Sequence, residues 1–303
     1  RLRLGAEALK SLGVAEDDNL VVAANNALTD DDVLAENIKN RLKSIIYGEL
    51  KNAGSELFKP TINELTDEEE VPSYDMSVFV KNPNVYKQQT NMNFTAENIP
   101  GWTTPEGYSA PGLTVGWGSA KNVEGVAEDC MFQTWGATYR VEQTISDLPA
   151  GVYTIRYAYG DRDNQEIEDS YAYATTSDGS EYQGGMIPGI GQAFPFVVND
   201  NQCSIIEDVV VADGVLTIGV NAGDGSHTFF NEVRVLMTGA AAGFDYGKAY
   251  EEVMTGVEPT TKTAKVRAIQ LFDLNGRRIS TAKKGVVIIQ KQMSDGSIKV
   301  EKV

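Results

Sequence analysis

The acidic segment 161–169 holds the residues of this sequence that are best suited to chemistry. Its carboxylates belong to Asp161, Asp163, Glu166, Glu168 and Asp169. Calcium takes carboxylate and backbone oxygens of this kind, which makes Asp161, Asp163 and Glu166 the candidate ligands of a structural calcium ion. Two other interpretations stay open: a solvated acidic surface, and the pair of acids ~5–10 Å apart that glycoside hydrolysis needs.

Sugar recognition would use a second set of residues. It needs a flat aromatic ring against the apolar face of a pyranose and planar polar groups for the hydroxyls. The candidate rings are Trp102, Tyr108 and Trp117, and the candidate polar groups are Asp161, Arg162, Asp163 and Asn164. Trp117 stands between two glycines, which carry no side chain to cover it, so it is the preferred exposed ring. Trp135 lies in a strand-like run and is expected in the core.

The sequence offers few residues for nucleophilic catalysis or zinc binding. The only histidine, His227, follows a Gly-rich turn, and we expect it on the surface. No nucleophile-elbow motif accompanies it, and no close-spaced pair of zinc ligands occurs. Cys130 and Cys203 are either buried thiols or a disulfide, because sequence does not give the Cα separation.

Short strands are the elements that must position these residues. Residues 139–144 alternate as a half-buried strand does, and Asp147 to Gly151 supply a turn. Along 152–157 both faces carry apolar residues, so either face can be the core face. Further strands are predicted at Met76–Tyr86, Tyr171–Thr175, Phe194–Val198, Cys203–Val211, Val215–Val220 and Thr228–Met237. Asp213-Gly214 has the composition of a two-residue hairpin turn. The pattern predicts a mainly β protein built on an antiparallel β-sandwich.

One long amphipathic helix precedes the strands. Thr29 or Asp30 can cap it, and apolar residues at helical spacing follow from Leu34 to Leu50. A single helix cannot bury its own stripe, so we expect it to pack on the sandwich or on sequence outside this chain. The predicted organisation is a helical N-terminal segment (1–70) that could end a larger upstream domain, the sandwich (71–238), a linker with a short helix (239–258) and a small β unit (259–303).

Charge limits the partners. The net charge of −17 argues against nucleic acid and anionic membranes, and no apolar run is long enough to insert into a bilayer. Residues 259–303 are an exception, with ten basic and three acidic side chains. This basic tail on an acidic body indicates a separate unit.

Several motifs of the sandwich resemble one family. They are Tyr139–Ile145, Leu148–Ile155, Asn82-Pro83-Asn84, Gly101-Trp102, Leu216–Val220 and Phe229–Val235. Together they are similar to the galactose-binding-like, carbohydrate-binding-module-type jelly rolls of secreted proteins from the Bacteroides group, over roughly residues 76–238. The resemblance implies a jelly-roll fold, with a structural calcium as a common companion. It also implies a core position as the alternative for Trp102, because the Gly-Trp position of this family often packs under the first strand. Its motifs specify the fold well and the ligand poorly.

The tail carries a second resemblance. Asp273 to Arg277 and the Lys284-Gly285 step look like the C-terminal sorting domains of proteins exported by the type IX secretion route. The match departs at Val287, where the family usually has Tyr. This resemblance implies an extracytoplasmic protein, secreted or attached to the outer surface.

Three functions follow from these features. The first is non-catalytic binding of a glycan or cell-surface polysaccharide. The second is a structural or adhesive spacer without a small ligand. The third, ranked last, is a glycoside hydrolase that uses the acidic segment.

The calcium prediction can be tested by thermal unfolding. If segment 161–169 holds calcium in the native state only, a chelator should lower the melting temperature and added calcium should restore it. Identical melting curves with chelator and with calcium would contradict the prediction.

Overall fold

The computed structural model describes residues 1–63, 67–85, 99–108, 132–134, 138–161, 167–187, 189, 204–224, 227–256, 266–272, 278–279, 288–293 and 298–302. The chain divides into two compact units, Arg1–Glu251 and Glu252–Val303. The first unit contains both the helices predicted over 1–70 and the strands predicted over 71–238.

The helices lie mostly at the N-terminus. They are α1 (Leu2–Ser11), α2 (Asn19–Asn26), α3 (Asp32–Ala53), two 3-10 turns (Gly54–Phe58 and Ser77–Phe79) and α4 (Tyr246–Gly256). The carboxylate of Asp31 accepts hydrogen bonds from the N–H groups of Val33 and Leu34, at 2.8 and 3.0 Å. Asp31 is therefore the cap of α3 in place of the predicted Thr29 or Asp30, and the predicted helix itself is confirmed.

The apolar stripe of α3 packs inside the first unit. Ile38, Leu42 and Ile46 are fully buried. Helix α1 approaches closely at Gly5, where a Cβ atom would lie 2.7 Å from Ile38. The hydroxyl of Tyr47 on α3 accepts a hydrogen bond from the N–H of Ala150 at 3.2 Å, in the loop before the second long strand. The expectation that α3 packs on the sandwich is confirmed.

Two antiparallel sheets form the body of this unit. Its strands are β1 (Thr61–Asn63), β2 (Glu68–Glu70), β3 (Tyr74–Asp75), β4 (Phe132–Gln133), β5 (Tyr139–Ile145), β6 (Gly151–Asp161), β7 (Tyr171–Thr176), β8 (Glu181–Met186), β9 (Ser204–Val211), β10 (Leu216–Ala222) and β11 (Thr228–Gly239). One sheet has the order β5-β10-β7-β8, and the other has the order β3-β11-β6-β9 with β4 also paired to β11. Strands β1 and β2 pair separately. The predicted antiparallel β-sandwich is the observed fold.

Tyrosine hydroxyls join the two sheets across the core. Tyr157 and Tyr159 on β6 donate to the backbone carbonyls of Tyr173 and Asn221, at 2.8 and 2.9 Å, on the opposite sheet. Tyr157 is fully buried, as are its alternate neighbours Tyr153 and Ile155. This settles the core face of β6, which the sequence left open.

One predicted hairpin and one predicted strand are wrong. Strand β9 pairs with β6, whereas β10 pairs with β5 and β7, so Asp213-Gly214 crosses between sheets and is not a hairpin turn. The carbonyl of Gly214 instead accepts a hydrogen bond from the N–H of Leu148 at 3.1 Å. The strand predicted over Met76–Tyr86 is also wrong, because its described residues 76–85 form a 3-10 turn, bends and turns. The Asp75 carboxylate accepts from Ser77 N–H at the start of that 3-10 turn. The strand predicted at 194–198 lies outside the described residues.

The segment after β11 packs on the sandwich. The hydroxyl of Tyr246 donates to the carbonyl of Ala150 at 2.9 Å and accepts from the N–H of Ala241 at 2.7 Å. Its ring lies 4.8 Å from that of Phe244 and 6.0 Å from that of Tyr47, measured between centroids. Residues 241–246 of the predicted linker thus contribute to a small aromatic cluster.

The second unit contains a four-stranded antiparallel sheet. Its strands are β12 (Val266–Phe272), β13 (Arg278–Ile279), β14 (Ile288–Met293) and β15 (Ile298–Lys302), in the order β13-β12-β14-β15. The predicted small β unit is therefore present in this part of the chain.

The Gly101-Trp102 step closes one edge of the sandwich. The side-chain amide of Gln143 on β5 accepts from the N–H of Lys81 at 2.6 Å and donates to its carbonyl at 2.8 Å. Gly101 sits directly against this pairing, with φ +91°, and a Cβ atom there would lie 2.9 Å from the Lys81 carbonyl oxygen. Only glycine fits such a conformation and such a contact without strain.

Replacing this glycine should be costly. We expect Gly101→Ala to lower the free energy of unfolding by the ~1–2 kcal/mol of a left-handed L-residue plus ~1–3 kcal/mol for the displaced Lys81 backbone. Gly179→Ala is the matched control, because Gly179 has φ +85° with open space around it. Urea unfolding of both variants separates the two contributions, and equal losses would show that the backbone at 101 adjusts freely.

Candidate functional site

The sheet β5-β10-β7-β8 carries a set of polar and aromatic side chains on its outward face. Residues that alternate with the buried ones belong to it, as Arg140 and Glu142 alternate with the fully buried Tyr139 and Val141. We call this set the outer sheet face. It comprises Arg140, Glu142, Thr144, Tyr171, Tyr173, Thr175, Glu181, Gln183, Thr217, Gly219 and Asn221.

A missing side chain at Gly219 makes room for the ring of Tyr173. Gly219 on β10 lies between Glu142 on β5 and Tyr173 on β7 in the strand register. A Cβ atom on Gly219 would lie 2.5 Å from the Tyr173 ring, so the ring extends over this glycine. Its hydroxyl donates to the Glu142 carboxylate at 2.7 Å. The pair links the first and third strands of the sheet.

Arg140 lies over this ring. Its guanidinium carbon is 3.6 Å from the ring centroid of Tyr173, within the range of a cation–π interaction. The same guanidinium donates to the Glu181 carboxylate at 2.5 Å, and Gln183 donates to the other oxygen of that carboxylate at 2.9 Å. A single layer of charged and amide groups therefore covers the middle of the outer sheet face.

These contacts fix the charges of the layer. Burial raises the pKa of Tyr173 well above its ordinary value, against the opposing effect of Arg140, so its hydroxyl remains a donor. Burial would also raise the pKa of Glu181, but the hydrogen bonds from Gln183 and Arg140 outweigh it and lower that pKa. At neutral pH, Arg140 and Glu181 are both charged.

Tyr108 brings an exposed ring to this layer. Its side chain is 44% exposed, and its ring centroid lies 5.7 Å from the guanidinium carbon of Arg140. The segment before it is fixed to the sheet edge, because Thr103 and Glu142 exchange two backbone hydrogen bonds of 2.9 and 2.8 Å. Arg140 thus contacts two tyrosine rings, the buried ring of Tyr173 and the exposed ring of Tyr108.

An open pocket adjoins this layer where β7 begins and β8 ends. We call it the Tyr171 pocket. Its volume is about 350 Å³, and it is lined by Glu168, Asp169, Ser170, Tyr171, Gln183, Gly184 and Met186. Burial is the main cause that raises the pKa of Tyr171. The nearby Glu181 raises this pKa further, and Arg140 lowers it. The pocket therefore combines an aromatic wall with polar groups next to the Arg140 layer.

A larger cleft lies between the first helices and the sandwich. Its volume is about 550 Å³, and its walls include α1, Asn82 to Asn84 and Arg234. No aromatic ring is among the described residues that line it. The Tyr171 pocket is thus the better match to the flat face of a sugar ring.

The structure separates the residues predicted for the site. Tyr108 is exposed as proposed, whereas Trp102 is fully buried, with its indole N–H donating to the carbonyl of Asn82 at 3.0 Å. The ring of Trp102 packs edge-on against Phe230, with centroids 5.0 Å apart. Trp102 therefore cannot serve as a sugar platform. Among the predicted residues, those outside the described part of the chain are Trp117, Trp135, Arg162, Asp163, Asn164, Glu166, Cys130 and Cys203.

Asp161 and His227 form part of the core. Asp161 is 1% exposed, and its carboxylate accepts a hydrogen bond from the backbone N–H of His227 at 2.9 Å. The expectation of a surface histidine is wrong, because His227 is only 2% exposed at the start of β11. The burial of Asp161 removes it from the polar partners that a surface-bound sugar could reach.

Calcium binding remains a prediction. Within the described ranges, no group of three or more His, Cys, Asp or Glu side chains is arranged to hold a metal ion. Two of the three candidate ligands, Asp163 and Glu166, lie outside those ranges.

Sequence reasoning missed most of the outer sheet face. Arg140 and Glu142 were visible as the polar half of an alternating strand. Tyr173 and Glu181 were not, because β7 and β8, which carry them, come next to β5 only through the non-sequential strand order.

None of the helices described here is long and apolar enough to cross a bilayer.

Solved structures resemble the chain at low sequence identity. The carbohydrate-binding module TmCBM61, in complex with β-1,4-galactotriose, is 17% identical over 35% of this chain and 68% of the module, with a TM-score of 0.25. An arabinose-bound GH51 α-L-arabinofuranosidase is 13% identical over 52% of this chain and 26% of the enzyme, with a TM-score of 0.33. The xylan-binding module CBM15 is 13% identical over 51% of this chain and 99% of the module, with a TM-score of 0.28. No family model and no curated protein matches the sequence.

The Arg140–Glu181 contact predicts a specific acid dependence. A carboxylate whose pKa is lowered by folding stabilises the native state above its unfolded pKa, near 4.5, and loses that contribution as the pH falls further. We expect Glu181→Gln to lower the free energy of unfolding by ~0.2–1 kcal/mol at pH 7, and the difference from wild type to shrink below pH 4.5. Urea unfolding between pH 3 and pH 7 measures it, with the exposed Glu207→Gln as control. A difference that stays constant with pH would contradict the prediction.

Proposed function

We propose that this chain is a non-catalytic carbohydrate-binding module and that a glycan binds at Tyr108 and the Tyr171 pocket. One observation carries the proposal: an exposed tyrosine ring stands beside a fixed layer of charged and amide groups on the outside of a β-sheet. The partner would be a glycan or a cell-surface polysaccharide.

The chemistry of the site suits a sugar. The apolar face of a pyranose can lie on the Tyr108 ring, and its hydroxyls can bond to carboxylate and amide groups such as Glu168 and Gln183. The 350 Å³ pocket is at the lower end of the size of small-molecule sites. Because the site is open, we expect affinities on the order of millimolar to micromolar per sugar unit. Trp117, Arg162, Asp163 and Asn164 stay predicted contributors.

Binding is better supported than hydrolysis. A glycosidase needs a carboxylic acid whose pKa is raised so that it can donate a proton at neutral pH. Glu181, the carboxylate most closely tied to the site, has a lowered pKa and an arginine partner. It is therefore a poor general acid.

The tail supports a secreted or cell-surface setting. Its sorting-like motif at Asp273 to Arg277 belongs to the sequence resemblance, and its strands form a small sheet. We propose that the protein is a bacterial, extracytoplasmic one and that residues 259–303 serve its export.

A structural or adhesive spacer is the second candidate. It is favoured by the number of outer-face side chains that bond to one another, such as Thr144 to Thr217 at 2.9 Å and Tyr173 to Glu142. Such a surface would be closed to a ligand. The two functions differ in whether any glycan binds.

Removing the Tyr108 ring should weaken binding without unfolding the protein. We expect Tyr108→Ala to reduce the affinity for a bound polysaccharide about tenfold, because the stacking contact is lost. Affinity electrophoresis in gels with galactan, xylan or glucomannan measures the effect.

Tyr108→Phe is the matched control, since it keeps the ring and should retain most of the affinity. Far-ultraviolet circular dichroism checks that both variants are folded. Wild-type migration unaffected by a wide panel of polysaccharides would favour the spacer. Equal affinity of wild type and Tyr108→Ala would place the site elsewhere.

A further inference from the structure

The charges around the Tyr171 pocket are one-sided. Among the described residues that line it, Glu168 and Asp169 are acidic and none is basic. Both side chains are exposed, so they face solvent at the pocket rim. Glu181 lies next to the pocket wall, where Gln183 donates to it, but Arg140 balances its charge. The uncompensated charges among the described lining residues are therefore those of Glu168 and Asp169.

The neighbouring cation is already engaged. Arg140 holds the carboxylate of Glu181 at 2.5 Å and covers the ring of Tyr173. An anionic sugar that took the place of Glu181 at Arg140 would leave that carboxylate without its cation. A charge-assisted pair with a ligand would therefore replace an equivalent pair and give no net gain.

We propose that the Tyr171 pocket selects uncharged glycans and excludes those that carry carboxylates or sulfates. This inference rests on the function proposed above and specifies the class of ligand.

Hydrogen-bond chemistry points in the same direction. The carboxylates of Glu168 and Asp169 only accept hydrogen bonds when ionised, so they need ligand groups that donate. Sugar hydroxyls donate. A ligand carboxylate or sulfate only accepts, so it can form no hydrogen bond with these two carboxylates and adds like-charge repulsion at short range.

The experiment compares each polymer with its own oxidised form. Galactan, glucomannan and mixed-linkage β-glucan are used as such and after oxidation of their C6 alcohols to carboxylates, which changes the charge and keeps the backbone. For a neutral polymer that binds, we expect the oxidised form to bind on the order of fivefold to tenfold more weakly at low salt. The difference should narrow at high salt, because ions screen the repulsion.

A charge reversal tests the rim itself. Glu168→Lys should recover most of the affinity for the oxidised polymer relative to the neutral one. The quantity compared is the ratio of the two affinities, because the same substitution removes an acceptor for the hydroxyls of the neutral polymer. Glu207→Lys is the matched control, because it changes the net charge equally at an exposed position on β9 of the other sheet, and it should recover little.

The two proposals fail in different ways. If none of the neutral or oxidised polymers binds, the proposed glycan-binding function falls and the selectivity falls with it. If the oxidised form binds as tightly as the neutral one, glycan binding stands and the exclusion of anionic sugars is overturned. Equal recovery by Glu168→Lys and Glu207→Lys would also overturn it, since net charge rather than the pocket would then be responsible.

Discussion

The pairing of the Gln143 side chain with the backbone of Lys81 is the contact on which the proposed site depends. It satisfies both backbone polar groups of Lys81 beside β5, the outermost described strand on one side of its sheet. Gln143 is 6% exposed, so losing either bond would leave a desolvated backbone group. Around this pairing the chain turns at Gly101, inserts Trp102 into the core and then reaches Tyr108. The exposed ring is thus held by interactions that lie almost entirely inside the protein.

On the outer sheet face, too, side chains are held in place by contacts with other residues of the protein. Gly219 gives up a side chain so that Tyr173 can lie across the sheet, and Arg140 then covers the ring. Each group in this layer has its geometry set by another group of the layer, which limits the entropy that a ligand must remove on binding. A surface of this kind suits weak, repeated contacts with a polymer better than tight enclosure of a small molecule.

The positions of most strands were far easier to predict than the way the strands pair. Alternation along 139–145 correctly separated the outward Arg140 from the inward Val141, because burial follows the twofold period of a strand. The partners of Arg140 come from β7 and β8, and no local pattern specifies that order. The same limit explains the turn at Asp213-Gly214, whose composition suits a hairpin although it crosses between sheets.

Local composition also failed to indicate burial where tertiary contacts decide it. His227 follows a Gly-rich turn that resembles a surface loop, yet Asp161 draws its backbone into the core. Trp102 and Tyr108 lie six residues apart in one loop-like segment, and only the structure shows that one is buried and the other exposed. The choice between them depends on the room beside Phe230, which is remote in sequence.

The tyrosine hydroxyls that join the sheets also set an alkaline limit on the fold. Tyr157 and Tyr159 are fully buried and donate to carbonyls of the opposite sheet, and burial raises the pKa of each well above 10. Burial raises the pKa of Tyr153 in the same way, although its hydroxyl donates to the carbonyl of Pro149 in its own segment. Folding therefore favours the protonated phenol, and the stability that it contributes is complete below the unfolded pKa of about 10 and declines as the pH rises beyond it. A phenolate in this core would lose its donor and place a charge beside a carbonyl oxygen. The bonds that hold the sandwich together at neutral pH would consequently be the ones that open it in strong base.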